Sequence, residues 1–493
     1  MFANVVSKIR GWLHKMKLIK SVQKITKRED VVATEKFYDH IDVWRQLYQG
    51  HYSEWHDVRY HTLNGEQKRK MKTLNLPKVL SQEMATLVFN EKCDISIDTG
   101  EGAFADSVKD VLEANGFDKH YQNYLEYMFA MGGMVTKVYV EDKEIKISYV
   151  SAECFVPITY NGRTVTEGAF LTVTTHKDYK FTLVESHLWI DGNYTIRNEL
   201  YRDAKGSKDL GTLVPLSTLY EDLEDEVVIK DMSRPMFVYT KPNIANNIEI
   251  DSNMGISLFA NALDTIHTID DLVDSFYREF KLGKKKIIVG AQAIKHHIDA
   301  DGDSRQYFDT DNEVYEAFNF GDASEDMIKE INFDLRVNEH IEAINAQLEI
   351  LCLQTGFSPG TFTFEATGLK TATEVISENS KTYKTRSSHI TLIEEGIKEL
   401  IATIKDVAAL YNIFTGPDKY EVKVNFDDSI AEDRSTNASY WTSLVGSGLA
   451  SKLQAIQKVQ KVTEEEAIVI LEQIAKEQNA MQDAEVFNNE DLE

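Results

Sequence analysis

Apolar residues recur at helical spacing through the first quarter of the chain. Phe37, Ile41, Trp44 and Leu47 form one stripe that Gly50 ends, which predicts a helix over 33–49. A loop carrying Trp55 and basic residues leads to a second helix, Leu76–Asn90. Alternation over Cys93–Ile97 predicts a strand. Ala103–Ala114 and Lys119–Met131 read as helices, the second broken by Gly132-Gly133.

From Met134 to about Thr240 the period changes to two. Val135–Val140, Ile145–Val150, Phe170–Thr174, Phe181–Ile190 and Tyr194–Tyr201 are short β-rich runs separated by turn signals. Asp191-Gly192-Asn193, between two alternating runs, predicts a hairpin.

The helical period then returns at greater length. Ser257–Lys281 reads as one helix of about 37 Å, with Ile266, Ile269, Phe276 and Phe280 on its apolar face. A polar line runs along the same helix through Asp264, His267, Asp271, Asp274 and Arg278. A short α/β excursion to about Asp326 follows, and then a second helix over about Phe333–Gln354. That helix has an apolar stripe from Val337 to Leu351 and an acidic line through Asp334, Glu342 and Glu349.

Beyond it lies a glycine-punctuated loop, Gly356 to Gly368, with three aromatic residues. Thr371-x-x-Glu374 is a capping box opening a third helix that reaches to about residue 411. Its first half, Ser377–His389, is polar apart from Tyr383, whereas Ile393, Ile397, Leu400, Ile404 and Val407 build an ordinary stripe. A helix polar all round bridges solvent or faces a wet channel. A strand over Tyr420–Phe426 and helices over Trp441–Gln460 and Val462–Glu477 complete the pattern, the last opened by Thr463-x-x-Glu466.

Composition narrows the class. The 493 residues bound the chain to roughly three domains or one large elaborated one, and the 42% hydrophobic content suffices for real cores. No apolar run is long enough to span a membrane. Cys93, Cys154 and Cys352 lie too far apart for a CxxC site and read as buried free thiols of a reducing, cytosolic compartment. Seven prolines leave no proline-rich linkers, so the parts are expected to be threaded into one body.

The net charge of −26 argues against a general nucleic-acid binder but does not exclude a protein past which DNA must slide without sticking. Charge is unevenly placed: residues 1–28 carry eight cations and no acid, and the C-terminal tail is acidic. The basic segment is amphipathic through Phe2, Val5, Ile9, Trp12, Leu13 and Met16. It reads as a membrane-surface helix or, more plainly, as a helix docking on its own protein or a neighbouring subunit. It lacks the features of a secretory signal.

A search for chemistry finds little. Gly368-Leu-Lys370-Thr371 and the lysines after Gly283 both fail the phosphate-loop spacing. His296, His297, Asp299, Asp301 and Asp303 resemble the start of a calcium loop, but Gly302 is misplaced and Thr310 stands where a Glu is needed. A polar surface loop is the better reading. There is neither HExxH nor GxSxG, so no catalytic constellation, metal site or cofactor is expected.

The order of parts, together with Trp44-x-x-Leu-Tyr48-x-Gly50, Leu76-Pro77-Lys78, Met84-Ala85, Phe89-Asn90 and Thr371-Ala-Thr373-Glu374-Val375, resembles the portal family of long-tailed phages and prophages of Gram-positive bacteria. The resemblance runs from about residue 30 to 480. It implies an α+β, mostly helical fold divided into an N-terminal arm (1–28), a wing (29–256, β-rich over 134–240), a stem helix (257–281), a clip (282–332), a second stem helix (333–355) and a tunnel loop (356–370). A long kinked helix and return strand (371–427), a crown (428–480) and an acidic tail (481–493) follow. It further implies a homo-oligomeric ring of about twelve subunits at a capsid vertex, assembled in the host cytoplasm. Such a ring passes double-stranded DNA in packaging and ejection. Its partners are the terminase large subunit, a head-completion or adaptor protein, and the major capsid and scaffold proteins, with no membrane and no ATPase activity.

On that resemblance, Asp264, Asp271, Asp274, Glu342 and Glu349 are expected to line the channel or to sit between subunits. Lys284, Lys285 and Lys286 at the clip, and Lys370, Lys381 and Lys384 around the loop, are candidates for transient phosphate contacts or for solvated and inter-subunit roles. Phe357, Phe362 and Phe364 are expected to pack between neighbouring loops rather than on bases. A helix crossing a wet tunnel bends where packing is thin, so a kink is expected between about residues 376 and 392. The competing readings are an acidic assembly or scaffold protein without DNA passage and, third, a calcium-dependent nuclease built on 296–303.

Overall fold

A computed structural model describes residues 35–476 except 63–64, 100–102, 163, 207–209, 284–285, 290–294, 299–303, 308–327, 332–333, 365–377, 427–433, 461 and 463–466. The N-terminal arm, both threonine capping boxes and the acidic tail therefore lie outside the described residues. The fold is mixed α+β.

Helix α1 (Glu35–Tyr48) buries Phe37, Ile41, Trp44 and Leu47, as the stripe predicts. A four-residue helix, α2 (Ser53–His56), leads into a hairpin of β1 (Asp57–Thr62) and β2 (Gly65–Lys70). The sequence reads this hairpin as loop, because β1 has only Val58 and Tyr60 as apolar positions and β2 has none. Helices α3 (Leu76–Val88), α4 (Phe104–Ala114) and α5 (Phe117–Met131) pack with α1 into the main core, and β3 (Asp94–Asp98) lies between α3 and α4 in sequence. Helix α5 stops at Gly132, whose φ of +81° suits a residue without Cβ.

The period-two region forms two antiparallel sheets. Strand β4 (Met134–Glu141) lies between β5 (Glu144–Ser151) and β12 (Phe237–Thr240), pairing with both. The larger sheet runs β10-β9-β8-β7-β6, from β6 (Phe155–Asn161) through β7 (Thr164–His176), β8 (Tyr179–Ile190) and β9 (Asn193–Ala204) to β10 (Thr212–Val214), with β11 (Glu226–Ile229) also on β9. Ile190 pairs with Asn193, and Asp191 and Gly192 both have positive φ. That is the type I′ turn whose twist matches the strands. Lys137 of β4 reaches across to Glu185 of β8 at 2.7 Å.

Helix α6 (Leu263–Leu282) begins six residues later than its pattern predicts. Leu258 N–H and Ser257 Oγ both bond the carbonyl of Phe129 at the end of α5, which holds 257–259 out of helix, and a 3₁₀ turn over Ala260–Ala262 then leads into α6. Strands β13 (Lys286–Val289) and β16 (Ile328–Ile331) pair, as do β14 (Lys295–Ile298) and β15 (Ser304–Tyr307). Helix α7 (Val337–Thr355) returns along α6.

Helix α8 (Ser380–Leu410) is 31 residues, about 46 Å. Within the span where the kink is expected, residues 376–377 lie outside the described residues, Glu378 is helical, Asn379 is a turn residue that breaks the helix, and 380–392 then runs unbroken. Its second half crosses the core beside β12, where Gly396 lets it approach Thr240. Strand β17 (Glu421–Asn425) pairs with β3. The helix expected over Trp441–Gln460 is two helices, α9 (Arg434–Gly446) and α10 (Lys452–Gln460). Gly448 at φ +75° turns the chain. Ser451 Oγ then accepts the Gln454 N–H while Gln454 Oε1 accepts that of Ser451. This is a capping box that starts a fresh helix. All three cysteines are free, Cys352 buried and the other two half-buried.

Candidate functional site

Helices α6 and α7 make an antiparallel pair. Near its open end Arg336 grips Glu279 through Nε at 3.1 Å and Nη2 at 2.8 Å, and holds the Glu279 carboxyl down at about 2. One turn inward, His340 donates from Nδ1 to the Arg336 carbonyl at 2.6 Å and faces Ser275 Oγ at 3.3 Å. Below that the seam is apolar, with Ile266 and Ile269 of α6 and Ile344, Leu348 and Leu351 of α7 buried.

The expected acidic lines divide here. Asp264 and Asp271 of α6, and Glu342 and Glu349 of α7, are exposed and form no ion pair among the described residues. Asp274 is different: it is buried within its own subunit. Both its oxygens accept from Arg69 of β2 at 2.6 Å, and Oδ1 also accepts the Lys72 N–H at 3.1 Å. Burial pushes its carboxyl up, but these donors outweigh that and hold it below its usual value.

Asp274 is one of four rungs between α6 and the segment 55–72. The Trp55 ring stacks on His267 at 4.7 Å, and His56 Nε2 sits 3.2 Å from Asp270 Oδ2 in a buried pair. His56 Nδ1 accepts the Tyr52 N–H, which places the ring proton on Nε2, facing the carboxylate. Lys72 lies over the Tyr277 ring at 5.0 Å. Positions 267, 270, 274 and 277 share one helix face. The hairpin is thus a brace along α6. In the sequence, the only trace of it is a run of basic residues opposite a polar helix line.

The loop after α7 folds back on its own chain. Phe357 is fully buried and meets Phe362 edge-on at 5.0 Å, while Phe364 is exposed. The Phe364 N–H donates to Asn345 Oδ1 of α7 at 3.1 Å. Of the three aromatics, Phe364 alone is left to face another molecule.

The polar start of α8 packs on this loop. Ser358 N–H donates to Thr382 Oγ1 at 2.8 Å, and Ser358 Oγ accepts the Thr382 N–H at 3.1 Å, filling a first-turn donor that has no partner inside the helix. Lys381 Nζ donates to the carbonyl of Leu353 at 2.7 Å, in the last turn of α7. There a cation also complements the helix dipole. Arg386 Nε donates to the Leu87 carbonyl at the end of α3 at 2.5 Å. His389 Nδ1 accepts the Asn243 N–H at 3.1 Å, its Nε2 is buried without a partner among the described residues, and burial lowers its pKa to about 4.

Thr382, Arg386 and His389 are all buried, whereas Ser380, Lys384, Ser387 and Ser388 are exposed, so this polar helix packs on one face and meets solvent on the other. They continue the spacing of Ile393, Ile397 and Leu400: one stripe faces inward throughout, polar in its first half because it caps neighbouring helices. Lys384 is exposed at the mouth of a cleft of about 350 Å³ lined by Asn243, Asn261, Gln354 and Ser388. Lys284, Lys285 and Lys370 lie outside the described residues, and Lys286 opens β13. His296 and His297 lie in β14, whereas Asp299, Asp301 and Asp303 lie outside the described residues.

Among the described residues, no group of three or more His, Cys, Asp or Glu is placed to hold a metal ion, and no helix is long and apolar enough to cross a membrane. A family model described as phage portal protein, SPP1 Gp6-like, matches residues 33–483. No curated protein matches the chain.

Proposed function

The chain belongs to the SPP1 Gp6-like family of phage portal proteins, and on that premise we propose that about twelve copies close into a ring at one capsid vertex, with α6 and α7 as the stem around an axial channel. The family is structural and belongs to the virion capsid. In this reading double-stranded DNA passes through the channel in packaging and ejection. The terminase large subunit docks on the ring first, and a head-completion or adaptor protein later. Major capsid and scaffold proteins hold its outer rim, assembly takes place in the host cytoplasm, and the ring carries no catalytic activity of its own.

The observation that carries the reading is the stem pair itself. Two long antiparallel helices bracket the segment 286–331, and each carries exposed carboxylates without an ion-pair partner among the described residues: Asp264 and Asp271 on α6, Glu342 and Glu349 on α7. Facing a channel, such carboxylates repel phosphate and keep DNA from sticking. Lys384, and the lysines at 284–286 and 370, supply the few cations for passing phosphate contacts, and Phe364 is the loop aromatic placed to reach a neighbouring subunit. Lys381 is occupied in capping α7.

Native mass spectrometry of the purified chain, with electron-microscope class averages, tests this. Rings of about twelve or thirteen subunits with a central hole are the expected result. A closed oligomer without an axial channel overturns it.

A further inference from the structure

The hairpin that braces α6 has a second face. In an antiparallel ladder, paired residues point to the same side. Val58 pairs with Arg69, and Arg69 turns inward to Asp274, so this pair marks the inner face. The pairs Asp57–Lys70, Arg59–Lys68 and His61–Glu66 therefore lie on the outer face, and all six side chains are exposed. Arg59 approaches Glu66 only to 3.8 Å, Asp57 lies 3.4 Å from His51, and Lys68 and Lys70 form no ion pair among the described residues. With Arg59, Lys68 and Lys70 against Asp57 and Glu66, this exposed face is net positive by one charge in a chain of net charge −26, and Lys68 and Lys70 are its unpaired cations among the described residues.

A surface of complementary chemistry lies on α7. Glu342 and Glu349 share an outward face with Ile350 and Leu353, which are 42% and 69% exposed. Large apolar side chains left in water beside unpaired acids mark a surface that another molecule covers. The two surfaces also lie at one level of the stem. The hairpin meets α6 between His267 and Tyr277, and Ser275 of α6 stands beside His340 of α7, so the antiparallel run brings Glu342 and Glu349 level with the brace. Rotation about a ring axis moves nothing along that axis, so surfaces that meet between subunits must share a level.

Resting on the ring reading above, we infer that the outer face of the β1–β2 hairpin is a docking surface for a second copy of this chain, taking the Glu342–Leu353 face of the partner subunit's α7. Lys68 and Lys70 stand about 7 Å apart along β2, and Glu342 and Glu349 about 10 Å apart along α7. That fit lets each lysine meet one carboxylate while Ile350 and Leu353 are covered. The contact is heterologous, as a ring requires, and offsets locally the repulsion between two strongly acidic bodies.

The test uses the full chain at about 0.15 M salt, where surface charge is screened beyond about 8 Å. Lys68→Glu/Lys70→Glu and Glu342→Lys/Glu349→Lys are each expected to raise the concentration needed for ring assembly about tenfold or more, and the combined four-site variant to restore it. Carbodiimide cross-linking of the wild-type ring is expected to join Lys68 or Lys70 of one subunit to Glu342 or Glu349 of the next. Wild-type rings without those cross-links overturn the inference alone. So do reversed variants that assemble as wild type, or a folded four-site variant that stays dispersed. A wild-type chain that forms no ring overturns the ring reading and this contact with it.

Discussion

Arg69 and Asp274, 205 residues apart in sequence, meet in a two-pronged ion pair with both N–O distances at 2.6 Å. The pair ties a surface hairpin to the stem helix. Asp274 is buried and Arg69 half-buried, so removing one partner strands the other. Asp274→Asn is expected to cost about 2 kcal/mol of unfolding free energy, against less than about 0.5 kcal/mol for Asp271→Asn on the exposed face. Urea unfolding of the two variants checks this, and equal effects would contradict the brace.

The joint between α7 and α8 depends on the Ser358–Thr382 exchange. Thr382→Val keeps the shape of the side chain but leaves the buried Ser358 N–H without its acceptor. An unpaired buried donor costs about 1–3 kcal/mol. Faster hydrogen exchange at the end of α7 and the start of α8 is the expected signature, with the second half of α8 unchanged. Uniform loss of protection along α8 would count against a local joint.

His389 makes this joint sensitive to acid. Its pKa falls from the ordinary 6.5 to about 4 in the fold, so its contribution is complete above 6.5 and declines as pH falls toward 4. The loss comes to about 3 kcal/mol at the lower end. His187, also held low by burial, acts in the same direction. Glu185 is held below its usual range, since Lys137 and His187 outweigh its burial, and it weakens the fold only below the ordinary carboxylate pKa. Hydrogen exchange over 380–392, measured from pH 7 to 4, should steepen on acidification in the wild type and flatten in His389→Gln. An unchanged pH profile in the variant would remove His389 from the account.

Gly132 and Gly255 touch backbone to backbone. A Cβ on Gly132 would stand 2.4 Å from the Gly255 carbonyl oxygen, and one on Gly255 would stand 2.1 Å from that of Gly132. Gly192, with nearly the same positive φ, has open space around it. Gly192→Ala is expected to cost about 1–2 kcal/mol from backbone strain alone, and Gly132→Ala clearly more, because the carbonyl cannot yield. Thermal unfolding of the pair separates strain from clash.

Much of this protein is legible in its sequence. Periodicity places α1, α3, α4, α5 and α7 and the longer strands to within a few residues, because a helix or a half-buried strand repeats its burial locally. Asp191-Gly192 announces its turn, because only certain residues tolerate positive φ at both positions. The order of parts carries the family.

What the sequence does not disclose are the interactions whose partner lies far along the chain. The polar half of α8 reads as a wet surface because Thr382, Arg386 and His389 look solvated until the orphan ends of α3 and α7 are brought against them. The β1–β2 hairpin carries only Val58 and Tyr60 as apolar residues, since Asp274 of α6, gripping Arg69, rather than an apolar core, holds it in place. Likewise Asp274 and Asp271 read as members of one acidic line, and Lys381 and Lys384 as one pair of cations. Tertiary structure sets one of each pair to work inside the subunit and leaves the other exposed. Local propensity is written residue by residue, whereas a side chain's role is fixed by the charge or unpaired backbone group that folding brings beside it.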